Sequence, residues 1–280
     1  STDNSVYDPS LFEDASDSKQ YCTQKVLNQT PTKLIGVGYE HNFSFKNKNA
    51  EGNSTIQSMG GVRTVINILT ISTNKLVLMA GASYWGTSIK AVDNTAQVTM
   101  NQVHSNRMDI EGFSLLMFKP LDQKHFLIAQ ANADASYIGV DDQWQLTGPS
   151  LTFYGSAIFG WKKGDYRMLA LGLSRTYRMG RPLIVPILLY NKTFNDHWGI
   201  EALLPARGFV RYNFSTNNML LGGYELEGQQ FAYNNFVSGI GGQVATQGFL
   251  QRGEIKPRIA WEKRLKGFFW LSLQVGYRIN

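Results

Sequence analysis

The last strand-like stretch of the chain, Phe268 to Asn280, sets the tightest limit on what this sequence can fold into. Side chains of an extended strand alternate with a period of two. Phe269, Leu271, Leu273, Val275, Tyr277 and Ile279 therefore share one face, opposite Trp270, Ser272, Gln274, Gly276, Arg278 and Asn280. The first face is apolar with an aromatic toward each end, and the second is mostly small or polar. That division suits a wall with lipid outside and water or a polar network inside. A strand of a soluble sandwich alternates too, but here the pattern recurs along nearly the whole chain.

The 280 residues exceed the usual single-domain length, yet a barrel can use them as one unit, and no linker divides them. Charged residues are only 17% and aromatics 12%, with 27 glycines, a balance that fits alternating strands better than a helical enzyme. The sequence holds no run of 18 apolar residues, so it offers no transmembrane helix. Its first residue is Ser1, as expected of a mature product whose export signal has been removed. Cys22 is the lone cysteine and cannot form an internal disulfide; in its polar surroundings it reads as an incidental free thiol. The net charge of +6 is scattered rather than clustered, which suits an anionic membrane surface and argues against a nucleic-acid partner.

Residues Ser1 to Lys33 are polar, with Asp3, Asp8, Glu13, Asp14 and Asp17 early, and read as an arm, a plug or a tail. Alternation starts at Leu34. Turn signals then separate about 13 candidate strands up to the closing one. Bacterial single-chain barrels use even numbers, so the expectation is about 12 strands, discounting the short segments around Pro186 or Trp198, with 14 as the other count. Short links favour an up-and-down meander over a Greek-key sandwich. Pro186 and Pro257 lie inside apparent strands and predict irregular or interrupted pairing there. The fold expected is thus all-β: a transmembrane antiparallel up-and-down β-barrel over residues 34–280, with a polar N-terminal arm or plug over residues 1–33. A soluble β-sandwich binding protein is the rival.

If the apolar residues face out, the lumen carries Glu40, Gln130, Asn132, Asp134, Glu201, Arg211, Asn213, Glu225, Glu227, Arg258, Glu262 and Arg278. Both signs are present, and in a barrel narrower than a porin they are expected to pair across it and brace the wall. A narrow solute path or ligand pocket is the alternative. Trp198, Trp261, Phe269 and Tyr277 are the expected membrane girdle, with Trp85, Trp161 and Phe268 as further strand-end aromatics.

Motifs for catalysis are weak. The four histidines, His41, His104, His125 and His197, stand at no close metal-binding spacing, and Cys22 is remote from all of them in sequence. Phosphate-loop, nucleophile-elbow and dinucleotide signatures are missing, so no cofactor is expected. His104 and Ser105 faintly resemble the dyads of outer-membrane lipid hydrolases. Being adjacent, they would point to opposite faces of a strand, which argues against base and nucleophile meeting. His41, on the apolar face of the first strand, reads as an interfacial residue.

The stretch GRPLIVPILLYNKTFNDHWGIEALLPARGFVRYNFSTNNMLLGGYELEG, from Gly180 to Gly228, and the closing IKPRIAWEKRLKGFFWLSLQVGYRIN resemble uncharacterised outer-membrane β-barrel proteins of the Bacteroidota. The features shared are an aromatic strand, a turn like Asn195 to Trp198, the Leu204–Pro205 break, and an end like Gly276, Tyr277 and Arg278. The last residue, Asn280, departs from the aromatic that commonly ends such barrels. The resemblance implies fold and location, and no catalytic residues. Together these readings lead to the expectation of an integral outer-membrane barrel without enzymatic activity, in contact with outer-membrane lipid and lipopolysaccharide. Its expected role is as an accessory or structural subunit of a larger assembly serving barrel insertion, protein secretion or nutrient uptake. A small-solute channel is the alternative, and a lipid-modifying enzyme is third.

Overall fold

The structure is a computed structural model that describes residues 21–49, 52–92, 107–139, 150–178, 181–239 and 242–279. Its elements are all strands. They are β1 (Ile35–Asn42), β2 (Phe45–Asn49), β3 (Gly52–Ser72), β4 (Val77–Val92), β5 (Arg107–Pro120), β6 (His125–Gly139) and β7 (Leu151–Lys163), followed by β8 (Arg167–Arg178), β9 (Arg181–Thr193), β10 (Trp198–Leu204), β11 (Arg207–Ser215), β12 (Asn218–Gly239), β13 (Gly242–Lys266) and β14 (Phe269–Gly276). Consecutive strands pair antiparallel in chain order, and β2 prolongs the run of β1 along β3. The order is an up-and-down meander of thirteen positions, not a Greek key. Fourteen strands occupy these positions, which matches the other expected count of 14 and corrects the expectation of about 12. Both discounted segments are strands: β9 keeps register through Pro186, paired with Leu173, and β10 pairs on both sides.

The sheet curls back on itself. Ala232 of β12 pairs parallel with Tyr137 of β6, which closes a ring of seven strands, β6 to β12, with the remaining strands extending from it. Pro257 disturbs pairing less than expected: the β12–β13 ladder runs through it opposite Tyr224, and on the other side it still accepts the Tyr277 N–H (2.9 Å). The β13–β14 register continues unshifted from Arg258 and Gly276 to a bridge between Ile255 and Ile279, with one ladder donor missing at the proline. The six links at one end of the sheet are all short, two to four residues each. Two of them turn on Gly164 and Gly267, whose φ of 63° and 56° lies in the left-handed region that a side chain disfavours.

Period-two alternation sorts the side chains as the sequence predicts. On β13, Glu254, Ala260 and Glu262 are buried while Ile255 and Ile259 are exposed. On β14, Phe269, Leu271, Leu273 and Val275 are exposed and Trp270 and Ser272 are half-buried. The exposed apolar face continues across Val62, Ile66 and Ile68 of β3, Phe113 and Leu115 of β5, Phe153 and Phe159 of β7, and Leu171 and Leu173 of β8. A belt of that extent is uncommon on a surface facing water. Among the described residues no helix is long and apolar enough to cross a membrane, which says nothing of a strand wall.

Candidate functional site

The interior is closed at the short-turn end by the last part of the N-terminal arm. Cys22 donates its N–H to the carbonyl of Asp122 in the β5–β6 turn (3.1 Å), and Leu27 donates to that of Asp165 in the β7–β8 turn (2.8 Å). Farther on, Asn213 of β11 donates to the Asn28 carbonyl (3.3 Å), and Lys33 reaches Glu262 of β13 (2.6 Å) before the chain enters the wall as β1. The arm thus crosses from one side of the sheet to the other. Asn28, with φ 58°, supplies the left-handed residue that bends it.

Two side chains of this arm correct the reading of it as wholly polar. Cys22 and Val26 are buried against Phe118, Phe126, Ile158, Met168, Ala170 and Ile187, all on the inner face of β5 to β9. Burial pushes the Cys22 thiol above its ordinary pKa, with the Lys162 charge opposing. Burial also lowers Lys25, against the pull of Glu201. Lys162 is itself buried and donates to the carbonyls of Lys25 (2.7 Å) and Thr23 (3.3 Å) and to the Thr23 hydroxyl.

Arg211 anchors the centre of the arm. With 0% of its side chain exposed, it donates to Glu201 (2.5 Å) and to the Thr193 hydroxyl (2.9 Å). Glu201 in turn accepts the Thr30 N–H (2.9 Å) and hydroxyl (2.5 Å), while the Thr193 hydroxyl donates to the Leu27 carbonyl (2.6 Å). Every partner of this buried cation is therefore also a partner of the arm.

A second network joins the first strand to the last. Arg63 of β3 contacts Glu40 (2.8 Å) and Glu227 (3.3 Å); Lys256 contacts Glu227 and, at 3.5 Å, Glu254; Arg278 contacts Glu254 (3.1 Å) and Glu40. These alternating charges form a closed loop of three cations and three carboxylates, in which each charge has two partners of opposite sign. Such mutual compensation lets charges stay inside a wall.

Of the lumen residues expected from sequence, Glu40, Glu227 and Arg278 come together in this loop and Glu201 meets Arg211. Glu225 pairs with Arg258 at 2.9 Å, and Glu262 with Lys33. Asp134 stands apart, accepting from Tyr154 (2.8 Å) and meeting no cation among the described residues. Sequence reasoning passed over Arg63, Glu254, Lys256, Thr30 and Lys33. Glu254 and Lys256 share the parity of Arg258 and Glu262 on one strand, so extending that face would have found them.

At the opposite end the strands run on past the belt and meet. Met59, Trp85, Ile89, Met108, Ile110 and Ile138, from β3 to β6, enclose Phe231 of β12. Trp85 is buried there with the Arg63 guanidinium 4.7 Å from its ring centroid, which corrects its placement among girdle aromatics. Between the two closures the inner face is polar, with Ser83, Ser114, Gln130 and Asn132; Gln130 donates to Asn132 (3.1 Å) and is exposed.

Trp198, Phe269 and Tyr277 are exposed on the outer face, and Trp261 is half-buried, donating to Asn218 (2.7 Å). Trp198 packs edge-on against Tyr212 at 4.8 Å, and Phe159 against Trp161 at 5.1 Å, near the short turns. Phe269 and Tyr277 stand about 27 Å apart along an extended strand, which a tilt of about 40° projects to about 21 Å, somewhat less than the roughly 25 Å apolar band of a barrel wall. His41 is exposed between Tyr39 and Phe43. His104 and Ser105 lie outside the described residues, as do residues 1–20 of the arm. Among the described residues no three of His, Cys, Asp and Glu are grouped to hold a metal ion. Comparison with protein-family models, curated proteins and solved structures finds no match to this chain.

Proposed function

We propose that this chain is an integral outer-membrane β-barrel without enzymatic activity that serves as an accessory or structural subunit of a larger outer-membrane assembly. The observation that carries the reading is an exposed apolar belt around an interior closed at both ends, by Cys22 to Lys33 on one side and by the Phe231 cluster on the other. A wall that presents apolar side chains outward favours lipid as its surroundings. A lumen filled with mutually compensated charges favours bracing over transport. What remains for partners is then the rim and the outer wall. The assembly served is one for barrel insertion, protein secretion or nutrient uptake.

Gentle detergent extraction of the tagged protein from its native membranes, with size analysis and mass spectrometry, tests this. A stoichiometric large complex is the expected outcome. A lone barrel would move the assignment to a narrow channel for small solutes. The exposed Gln130 on the inner face favours that second reading, and bilayer conductance with and without residues 1–33 would then decide it.

A further inference from the structure

We propose that the gap between β1 and β14 is a docking slot for one extended strand of a partner polypeptide, running antiparallel to both. The inference rests on the membrane-barrel reading. Among the described residues, β1 pairs only with β3 and β14 only with β13. With thirteen positions and every neighbour antiparallel, the first and last strands run the same way.

The contact between Arg278 and Glu40 brings those two residues to one level, so Val37 lies level with Val275 and Tyr39 with Tyr277. These outward side chains are the barest of the wall. Val37 is 77% and Val275 72% exposed, against 53% for both Leu171 and Ile259, whose strands have neighbours on each side. Backbone N–H and C=O groups left open in hydrocarbon have no water to turn to, so a free edge at that depth must be covered.

Three occupants compete, and strand direction separates them. Direct contact between β1 and β14 gives a parallel pair, the weaker ladder per residue. A second copy inserted in the same sense offers only its own β1 and β14, again parallel. A single strand of opposite direction makes antiparallel ladders with both edges and brings the wall to the even number such barrels use. Most inner side chains beside the gap are small, Gly36 and Gly38 on β1 and Ser272 and Gly276 on β14, and Gln274 between the last two is held by Arg258 (2.8 Å) and Ser272 (3.1 Å). They leave room for inward side chains of a guest, except beneath the Arg278–Glu40 bridge, where the guest needs a small residue. The partner is thus a strand with apolar side chains outward and polar or small ones inward, bound by edge addition.

The test uses the full chain in native outer membranes with Val37→Cys and Val275→Cys combined, and Tyr39→Cys with Tyr277→Cys as a second pair should the first fail to assemble. Adjacent strands would let the cysteines oxidise to a disulfide. One intervening strand sets them about 10 Å apart, within reach of a short bismaleimide only. The expected result is bismaleimide bridging without disulfide, with amide exchange along β1 and β14 slower in native membranes than in the detergent-purified chain. Disulfide formation, bridging by neither reagent, or equal exchange in both states would overturn the slot. Release of the chain from membranes by alkaline carbonate without detergent would instead remove the membrane reading beneath it, and the slot with it.

Discussion

At the short-turn end the interior is closed by a separate run of chain, Cys22 to Lys33, held through hydrogen bonds and ions centred on Arg211. At the mouth it is closed by the wall's own strands, whose inner apolar side chains surround Phe231. The first closure combines directional contacts with the burial of Cys22 and Val26, and the segment could leave without unpairing a strand. The second is continuous with the β6–β12 pairing and would open only if the wall itself changed shape. The difference teaches that the arm end can open without remaking the wall, while the mouth is part of its frame.

The sharpest way to break that comparison is Arg211→Ala. It leaves Glu201 in the interior without its cation and removes the donor to Thr193. Removal of one partner from a buried pair typically costs about 3–5 kcal/mol. Urea unfolding of the folded protein in detergent should show a loss of that size, with faster amide exchange at Thr30. A loss below about 1 kcal/mol would show that the arm is held mainly by the apolar contacts of Cys22 and Val26.

Phe231→Ala addresses the other end. A fully buried phenylalanine cut to alanine costs about 3–5 kcal/mol, and the lower part of that range is expected because strands near the rim can relax into the space. Exchange at residues 22–33 should stay as in the parent protein. If the arm loosened as well, the two closures would be one coupled unit and the contrast between them would fall.

Next in size is Leu273→Arg on the outward face of β14, expected to weaken assembly in the membrane by about 2–4 kcal/mol at mid-depth. Ser272→Ala, one residue away on the inner face, should stay within about 0.5 kcal/mol. Equal tolerance at the two positions would remove lipid from the outside of this wall, and with it the sense in which both closures seal a lumen.

The wall was legible in the sequence because a period of two is a local property. The segment from Trp198 to Leu204 coincides with β10, and the closing strand's apolar face is the exposed one. The expectation of about 12 strands came from applying an even-number rule; among the described residues the first and last strands of the sheet do not pair with each other. At 22 and 25 residues, β12 and β13 are the longest described strands of the sheet. Charges on the inner face were found by parity, but which of them would meet was not: Glu40 and Arg278 lie far apart in sequence and are joined only when the sheet curls. The arm's role was hidden for a related reason. Thr30 and Lys33 carry no pattern of their own and acquire meaning only from Glu201 and Glu262 opposite.

The smallest expected effect lies where the arm first touches the wall. In the β5–β6 turn the Asp122 carboxylate accepts from the backbone N–H groups of Lys124 (2.6 Å) and His125 (2.7 Å) and contacts the His125 ring (2.7 Å), while the Asp122 carbonyl accepts from Cys22. The His125 ring first, then the two backbone donors, lower its pKa from 3.8 to about 2. A carboxyl whose pKa is depressed by folding stabilises the folded state fully above its ordinary value, and that contribution is lost as pH falls through the lowered one. The turn should therefore hold the start of the arm unchanged from neutral pH down to about 4 and loosen between about 4 and 2, in step with protonation of this group. Carbon-detected NMR of the Asp122 carboxyl, alongside exchange at the Cys22 amide, would follow both events. Asp122→Asn should flatten the response of Cys22 in that window while leaving exchange around Phe231 as it was. A Cys22 response that persists in the variant would place the acid sensitivity elsewhere in the arm, and would make the arm's hold on this rim independent of the turn that meets it.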